Sequence, residues 1–164
     1  GGSIRIYVSK NRKIKKDKSI NKILLDEKKF GITNLQNFDI FEKNILSIKD
    51  NFLKNIQFLK KKYKKIIGYG APAKATTLLN FFGINDDYIE FVVDDNNLKM
   101  NKYIPGTNIK IISSKRIKKK KNCVLVLAWN MFSEIKSKNL NLSNNFINIR
   151  DLYDKNFIKK FKSY

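Results

Sequence analysis

The sequence predicts an α/β fold in which a mostly parallel, five-stranded sheet forms the middle of three layers. Three observations predict it. Gly68-Tyr69-Gly70-Ala71-Pro72-Ala73-Lys74 lies between the apolar pair Ile66-Ile67 and a helical run ending at Phe82, the order of strand, tight turn and helix start. Phe91-Val92-Val93-Asp94-Asp95 ends an apolar core in acid, and Cys123-Val124-Leu125-Val126-Leu127-Ala128 is apolar throughout, as in a parallel sheet covered on both faces. Residues 109–112 and 146–149 supply two more short strands, so residues 65–150 can form one compact unit with helices between most strands. The pattern is Rossmann-like.

The elements around the sheet follow from periodicity. Leu35, Phe38, Phe41, Ile45, Ile48, Phe52, Ile56, Leu59 and Tyr63 recur at intervals of three or four, which predicts one long helix over residues 35–64. Its apolar stripe packs on the sheet or on another domain. Residues 19–30 read as a shorter helix or a crossover segment. Residues 151–164 are amphipathic, with Leu152, Tyr153, Phe157, Ile158 and Phe161 on a helix face, and either cap this domain or touch a partner.

Composition narrows the partners. A chain of 164 residues can bury one core without disulfides or a metal. The single Cys123 opens an apolar strand and reads as core, and with no His there is no Cys/His set for zinc, so no metal site is expected. No stretch approaches the roughly twenty apolar residues of a membrane span, and residues 1–14 lack a signal-peptide segment. No membrane contact and a cytoplasmic location are therefore expected. The net charge of +21, from 35 Lys and Arg against 14 Asp and Glu, would ordinarily suggest nucleic acid. Arg occurs only at Arg5, Arg12, Arg116 and Arg150, however, and a Lys-dominated surface lacks the usual sign of specific readout. Abundant Lys, Asn and Ile match the coding bias of an AT-rich genome. Lys60 to Lys62, Lys64, Lys65 and residues 118–121 accordingly read as solvated surface, and no specific nucleic-acid partner is expected. A positive field would still attract an anionic ligand, less so in salt.

Ligands of open α/β sheets bind beyond the carboxyl ends of the strands. Gly68 and Gly70 there permit a turn that side chains would block, and Ala73 takes the place of the third small residue of a GxGxxG/A fingerprint. The turn through Ala71, Pro72 and Ala73 leaves backbone N–H groups at the helix start free as an anion site, to which Lys74 adds charge unless it is merely exposed surface. Thr77 and Asn80 share a helix face, as binding residues or as ordinary surface. Asp94, about twenty-five residues past Gly68, stands near the spacing at which an acid meets a ribose hydroxyl, with a turn-forming Asp as the alternative. Trp129 can stack on a base or sugar, and Asn130 is placed to cap the next helix in preference to touching a ligand. The same turn and Asp94 would serve NAD in an oxidoreductase, but a second region for the hydride chemistry is not evident. A basic nucleic-acid-binding module is the remaining alternative.

Five ordered blocks carry a resemblance. Gly68 to Asn80, then Gly83-Ile84, Phe91-Val92-Val93-Asp94, Tyr103-Ile104-Pro105-Gly106-Thr107 and Leu127-Ala128-Trp129-Asn130 resemble the C-terminal domain of bacterial sugar C-methyltransferases. Gly1-Gly2-Ser3-Ile4-Arg5-Ile6-Tyr7-Val8 also looks like the last strand of that family's methyltransferase core, a leftover N-terminal strand here. Ala75 departs from the pattern, where glycine is common, harmlessly so in a helix. The resemblance implies an enzyme that uses S-adenosylmethionine to methylate a carbon of a nucleotide-linked deoxy-keto-sugar, with thymidine diphosphate as the expected carrier. A base would remove a proton beside the keto group, and the resulting enolate would take the methyl. It implies that the cofactor fold and the base lie in an upstream domain, so this segment supplies no catalytic residue, binds no cofactor and is inactive alone. Residues 1–34 would be the end of that upstream core with a crossover, 35–64 a linking helix, 65–150 the substrate-orienting domain and 151–164 a tail. The turn at Pro105-Gly106 and Thr107 would shape the pocket.

Overall fold

A computed structural model describes residues 4–11, 13, 15, 17–63, 65–114, 122–143 and 145–162. The chain forms two compact units, residues 1–44 and residues 45–164. In the first, helix α1 (Lys18–Phe30) settles the segment that periodicity left open. Asp17 caps it, its carboxylate accepting from the Ser19 N–H at 2.7 Å, and Gly31 ends it in the left-handed conformation at φ 75°. Helix α2 (Leu35–Lys62) follows at once, started by the Asn34 side chain, which accepts from the Gln36 N–H at 3.0 Å. Asn37 secures the joint by donating to the Gly31 carbonyl at 2.8 Å. No residue of α1 is buried. Ile4 to Val8 lie outside any strand, contrary to the leftover strand expected there, and Gly1 to Ser3 fall outside the described residues. A strand needs a neighbour to satisfy its backbone, and the only described sheet belongs to the other unit.

That sheet has five strands, all parallel, in the order β3-β2-β1-β4-β5. The strands are β1 (Ile66–Tyr69), β2 (Phe91–Val93), β3 (Lys110–Ile112), β4 (Cys123–Val126) and β5 (Asn145–Asn148). Helix α3 (Ala73–Phe82) connects β1 to β2, and α4 (Phe132–Lys138) connects β4 to β5. Side chains alternate between faces along each strand. Ile66, Val92, Ile111, Cys123, Leu125 and Ile147 join Phe52, Ile56 and Leu59 of α2 and Ala75, Leu79 and Phe82 of α3 in one core cluster. Ile67, Tyr69, Val93, Val124, Val126 and Phe146 form a second cluster with Ile135 of α4. Covering on both faces explains why β1 and β4 are buried at every residue.

The long stripe divides. Phe52, Ile56 and Leu59 have no exposed surface, and Phe52 stacks on Phe82 at 4.2 Å, whereas Leu35, Phe38 and Phe41 remain exposed. The amphipathic tail caps this domain. Asn55 on α2 donates to the Leu152 and Asp154 carbonyls at 2.9 Å each, and Phe161 of α5 (Phe157–Lys162) meets Phe58 and Tyr63 edge-on. Lys60, Lys61 and Lys62 are exposed, with Lys60 over the Tyr88 ring and Lys62 over Phe161; Lys64 and residues 118–121 lie outside the described residues. Among the described residues no helix is long and apolar enough to cross a membrane.

Candidate functional site

The chain order reverses between β1 and β4, which places the switch point of the sheet directly at the end of β1. Gly68 and Gly70 sit there for different reasons. Gly68 is a strand residue, not part of the turn as its sequence position suggested; a Cβ on it would lie 2.5 Å from Val92 Cγ2 and 3.3 Å from Leu127 Cδ1. Gly70 makes the turn at φ 82°, and a Cβ there would meet Ala128 Cβ at 2.8 Å. Its N–H donates to the Val93 carbonyl at 2.7 Å.

The next amide does not face outward. Ala71 N–H donates to Asp94 Oδ2 at 2.7 Å, while Asp94 Oδ1 accepts from the Asn96 N–H at 2.9 Å. Lys99 Nζ lies 3.0 Å from Asp94 Oδ2 and 3.0 Å from the Ala71 carbonyl, so one lysine bridges carboxylate and turn. Burial pushes the Asp94 carboxyl up, but the Ala71 and Asn96 N–H groups and the Lys99 ammonium outweigh it and hold the carboxyl below its ordinary value. Asp94 thus braces the glycine turn from the neighbouring strand.

Helix α3 opens after Pro72, which is extended and supplies no side-chain cap, so the first-turn N–H groups of Ala73 and Lys74 have no acceptor within the helix. Lys74 Nζ sits 3.9 Å from the centre of the Trp129 ring, joining two residues singled out from sequence. Asn130 is exposed and does not cap α4; the residue at that cap is Met131, without a side-chain hydrogen bond, because a short 3-10 turn over Trp129–Met131 intervenes. Thr77 is exposed on α3. Asn80 donates to the Thr76 carbonyl at 2.8 Å and the Pro105 carbonyl at 3.0 Å, tying α3 to the turn at residues 105–107. Thr107 is buried, its hydroxyl donating to the Ile104 carbonyl at 2.9 Å and accepting from the Ile109 N–H at 3.2 Å.

A cleft of about 180 Å³ opens between these parts, lined by Ala71, Thr76, Lys99, Lys102, Tyr103, Ile104, Pro105 and Ile111. Of the residues expected at the site Ala71 lines it, together with Pro105 of the turn expected to shape the pocket. Sequence reasoning missed Thr76, Lys99, Lys102 and Tyr103, because two lysines carry little signal in a Lys-rich chain and their loop is placed only when β3 pairs with β2. Asn101, held at φ 61°, turns that loop back so that Tyr103 bridges Lys110. Two larger hollows lie elsewhere. One of about 390 Å³ lies beside β5, two strands from β1, and one of about 300 Å³ is lined by Lys65, Ile66 and Glu90 at the amino ends of the strands. Neither opens at the switch point. Among the described residues no His, Cys, Asp and Glu cluster could hold a metal ion.

The sequence itself matches known proteins over most of this architecture. The C-methyltransferase C-terminal domain family model matches residues 1–147. The chain is also similar to C-methyltransferase NovU of Streptomyces niveus, 28% identical over 118 residues, which is 71% of this chain and 28% of that protein. The chain therefore spans well under half the length of the curated relative it matches. A family match that runs from the N-terminal residues through the glycine turn, the braced cleft and most of β5 makes this chain a member of the C-methyltransferase C-terminal domain family.

Proposed function

We propose that this chain is the substrate-orienting part of an S-adenosylmethionine-dependent C-methyltransferase acting on a nucleotide-linked deoxy-keto-sugar, with thymidine diphosphate as carrier. The observation that carries the reading is the small cationic cleft beside the glycine turn, at the switch point of a parallel sheet, in a chain of this family. Lys102 is exposed at its rim and meets the diphosphate; Lys99, already paired with Asp94, adds less. Thr76 supplies a hydroxyl, and the Ala73 and Lys74 amides supply donors that the helix leaves open. Trp129, with Lys74 over its face, lies outside the cleft lining, after β4, and is the ring on which a base or sugar extending from the diphosphate would stack. Gly68, Gly70, Pro72, Asp94, Asn80 and Thr107 act from behind, by shape. Thr77 and Asn130, both exposed, contact the ligand only at its edges.

S-adenosylmethionine supplies the methyl group when bound, and the residues here do not fit it. Lys99 and Lys102 line the cleft of about 180 Å³, and their charge suits an anionic diphosphate and repels the cofactor's sulfonium. The Ala71 amide is also given to Asp94. The cofactor and the base then belong to an upstream domain of the full enzyme, and this chain binds and orients without methylating alone. The same brace weakens the dinucleotide reading, since the acid that would meet a ribose has only donors of this chain around it.

Calorimetric titration with a thymidine diphosphate sugar, NADH and S-adenosylmethionine in parallel tests the proposal. Only the sugar nucleotide should bind, and Lys102→Ala should weaken it about ten-fold, or about 1.4 kcal/mol. Binding of NADH in its place would favour the oxidoreductase, and no binding of the sugar nucleotide would remove the orienting role from this segment.

A further inference from the structure

The two consecutive carboxylates after β2 serve opposite sides of the sheet. Asp94 faces the α3 side and holds the Ala71 N–H. Asp95 faces the α4 side, where its Oδ2 accepts from the Tyr69 hydroxyl at 2.9 Å. Tyr69 ends β1, immediately before the turn residue Gly70, and is only 5% exposed. Asn139 Oδ1 lies 3.3 Å from the same hydroxyl, and Asn139 Nδ2 donates to the Ile135 carbonyl of α4. A phenol has one proton, and the shorter contact, to Asp95, takes it. Burial and then Asp95 push the phenol up to about 12, so Tyr69 remains a donor at neutral pH.

We infer that Tyr69 and Asp95 form a positioning pair that fixes the chain after β2 to the end of β1, so that Asp94 reaches the Ala71 N–H and the glycine turn is preset. Adjacent residues share a peptide plane, so Asp94 keeps its grip only while the backbone beside it stays in place. The backbone bond from Gly70 N–H to the Val93 carbonyl joins the same two strand ends, and the pair holds them from the opposite face. The consequence for ligand affinity rests on the function proposed above.

The test reads the Ala71 amide by hydrogen exchange in the 164-residue chain, together with calorimetric affinity for thymidine diphosphate. Tyr69→Phe and Asp95→Ala should each speed exchange at Ala71 and weaken affinity about ten-fold. Asp95→Asn keeps an acceptor oxygen and should restore both. Asn55→Ala, which breaks a buried hydrogen bond between α2 and the tail, should lower the melting temperature and leave the Ala71 amide protected. Unchanged exchange in Tyr69→Phe, failure of Asp95→Asn to rescue, or equal loss of protection in Asn55→Ala would overturn the pair. If the Ala71 amide responds as expected but the wild-type chain binds no nucleotide, the pair stands and the proposed function falls.

Discussion

At Gly70 the backbone takes φ 82°, and there is no room for a methyl beside Ala128. Gly70→Ala should therefore cost at least about 1 kcal/mol in urea unfolding, from the left-handed conformation alone. Asp94 is the second sensitive residue. Asp94→Ala leaves the Ala71 and Asn96 N–H groups without their acceptor and should destabilise by about 1.5–3 kcal/mol at pH 7. Because its carboxyl titrates below the ordinary value in the fold, its contribution is complete above roughly pH 4 and is lost as pH falls through the folded value. The difference between wild type and Asp94→Ala should accordingly shrink on acidification, measured by urea midpoints from pH 7 to pH 3. Cys123 is fully buried, and burial pushes its thiol up to about 12, so it should resist a thiol reagent in the native chain and react once urea unfolds it.

Helix α2 shows how one periodic pattern can serve two environments. Its 28 residues span about 42 Å, and only its last eleven, from Phe52, put buried side chains (Phe52, Ile56 and Leu59) into the core of the second unit. Ile56→Ala should cost about 2–5 kcal/mol by leaving a cavity, whereas Phe38→Ser, at an exposed position, should stay within about 0.5 kcal/mol. Comparing urea midpoints of the two variants checks this. The period of 3.6 could be read from the sequence, whereas the left-handed glycines Gly31 and Gly83 that end α1 and α3 are seen only in the structure. Burial along the stripe could not be read, because Leu35 and Leu59 look alike until a second surface is brought to one and not to the other.

For the molecule as a whole, the charge of +21 sets a field that no single contact accounts for. Affinity for an anionic nucleotide sugar should fall as sodium chloride rises from about 50 to 500 mM, since the screening length shortens to a few ångströms. A flat calorimetric salt series would show that the lysines around the cleft act only as solvated surface. The parallel order β3-β2-β1-β4-β5 matters equally at this scale, for it brings the ends of β1, β2 and β4 to one edge. The turn at Gly70, the Asp94-Asp95 pair and Trp129 meet there although they are far apart in the chain.

Local chemistry determined much in advance. Apolar runs marked the five strands, the spacing of apolar residues marked the long helix, and two glycines with a following Pro-Ala-Lys marked the strand-to-helix turn, because each of these depends on neighbours in sequence. Tertiary structure alone decided what the polar groups do. Asp94 looked like a ribose ligand until pairing of β2 with β1 put the Ala71 N–H within 2.7 Å of it. Asn80 looked like helix surface or a binding residue until the turn at residue 105 arrived against it. Lys99 and Lys102 were two lysines among many until β3 folded beside β2 and turned their loop into the wall of a cleft. A hydrogen-bonding group takes whichever partner the fold delivers, and that delivery depends on residues tens of positions away.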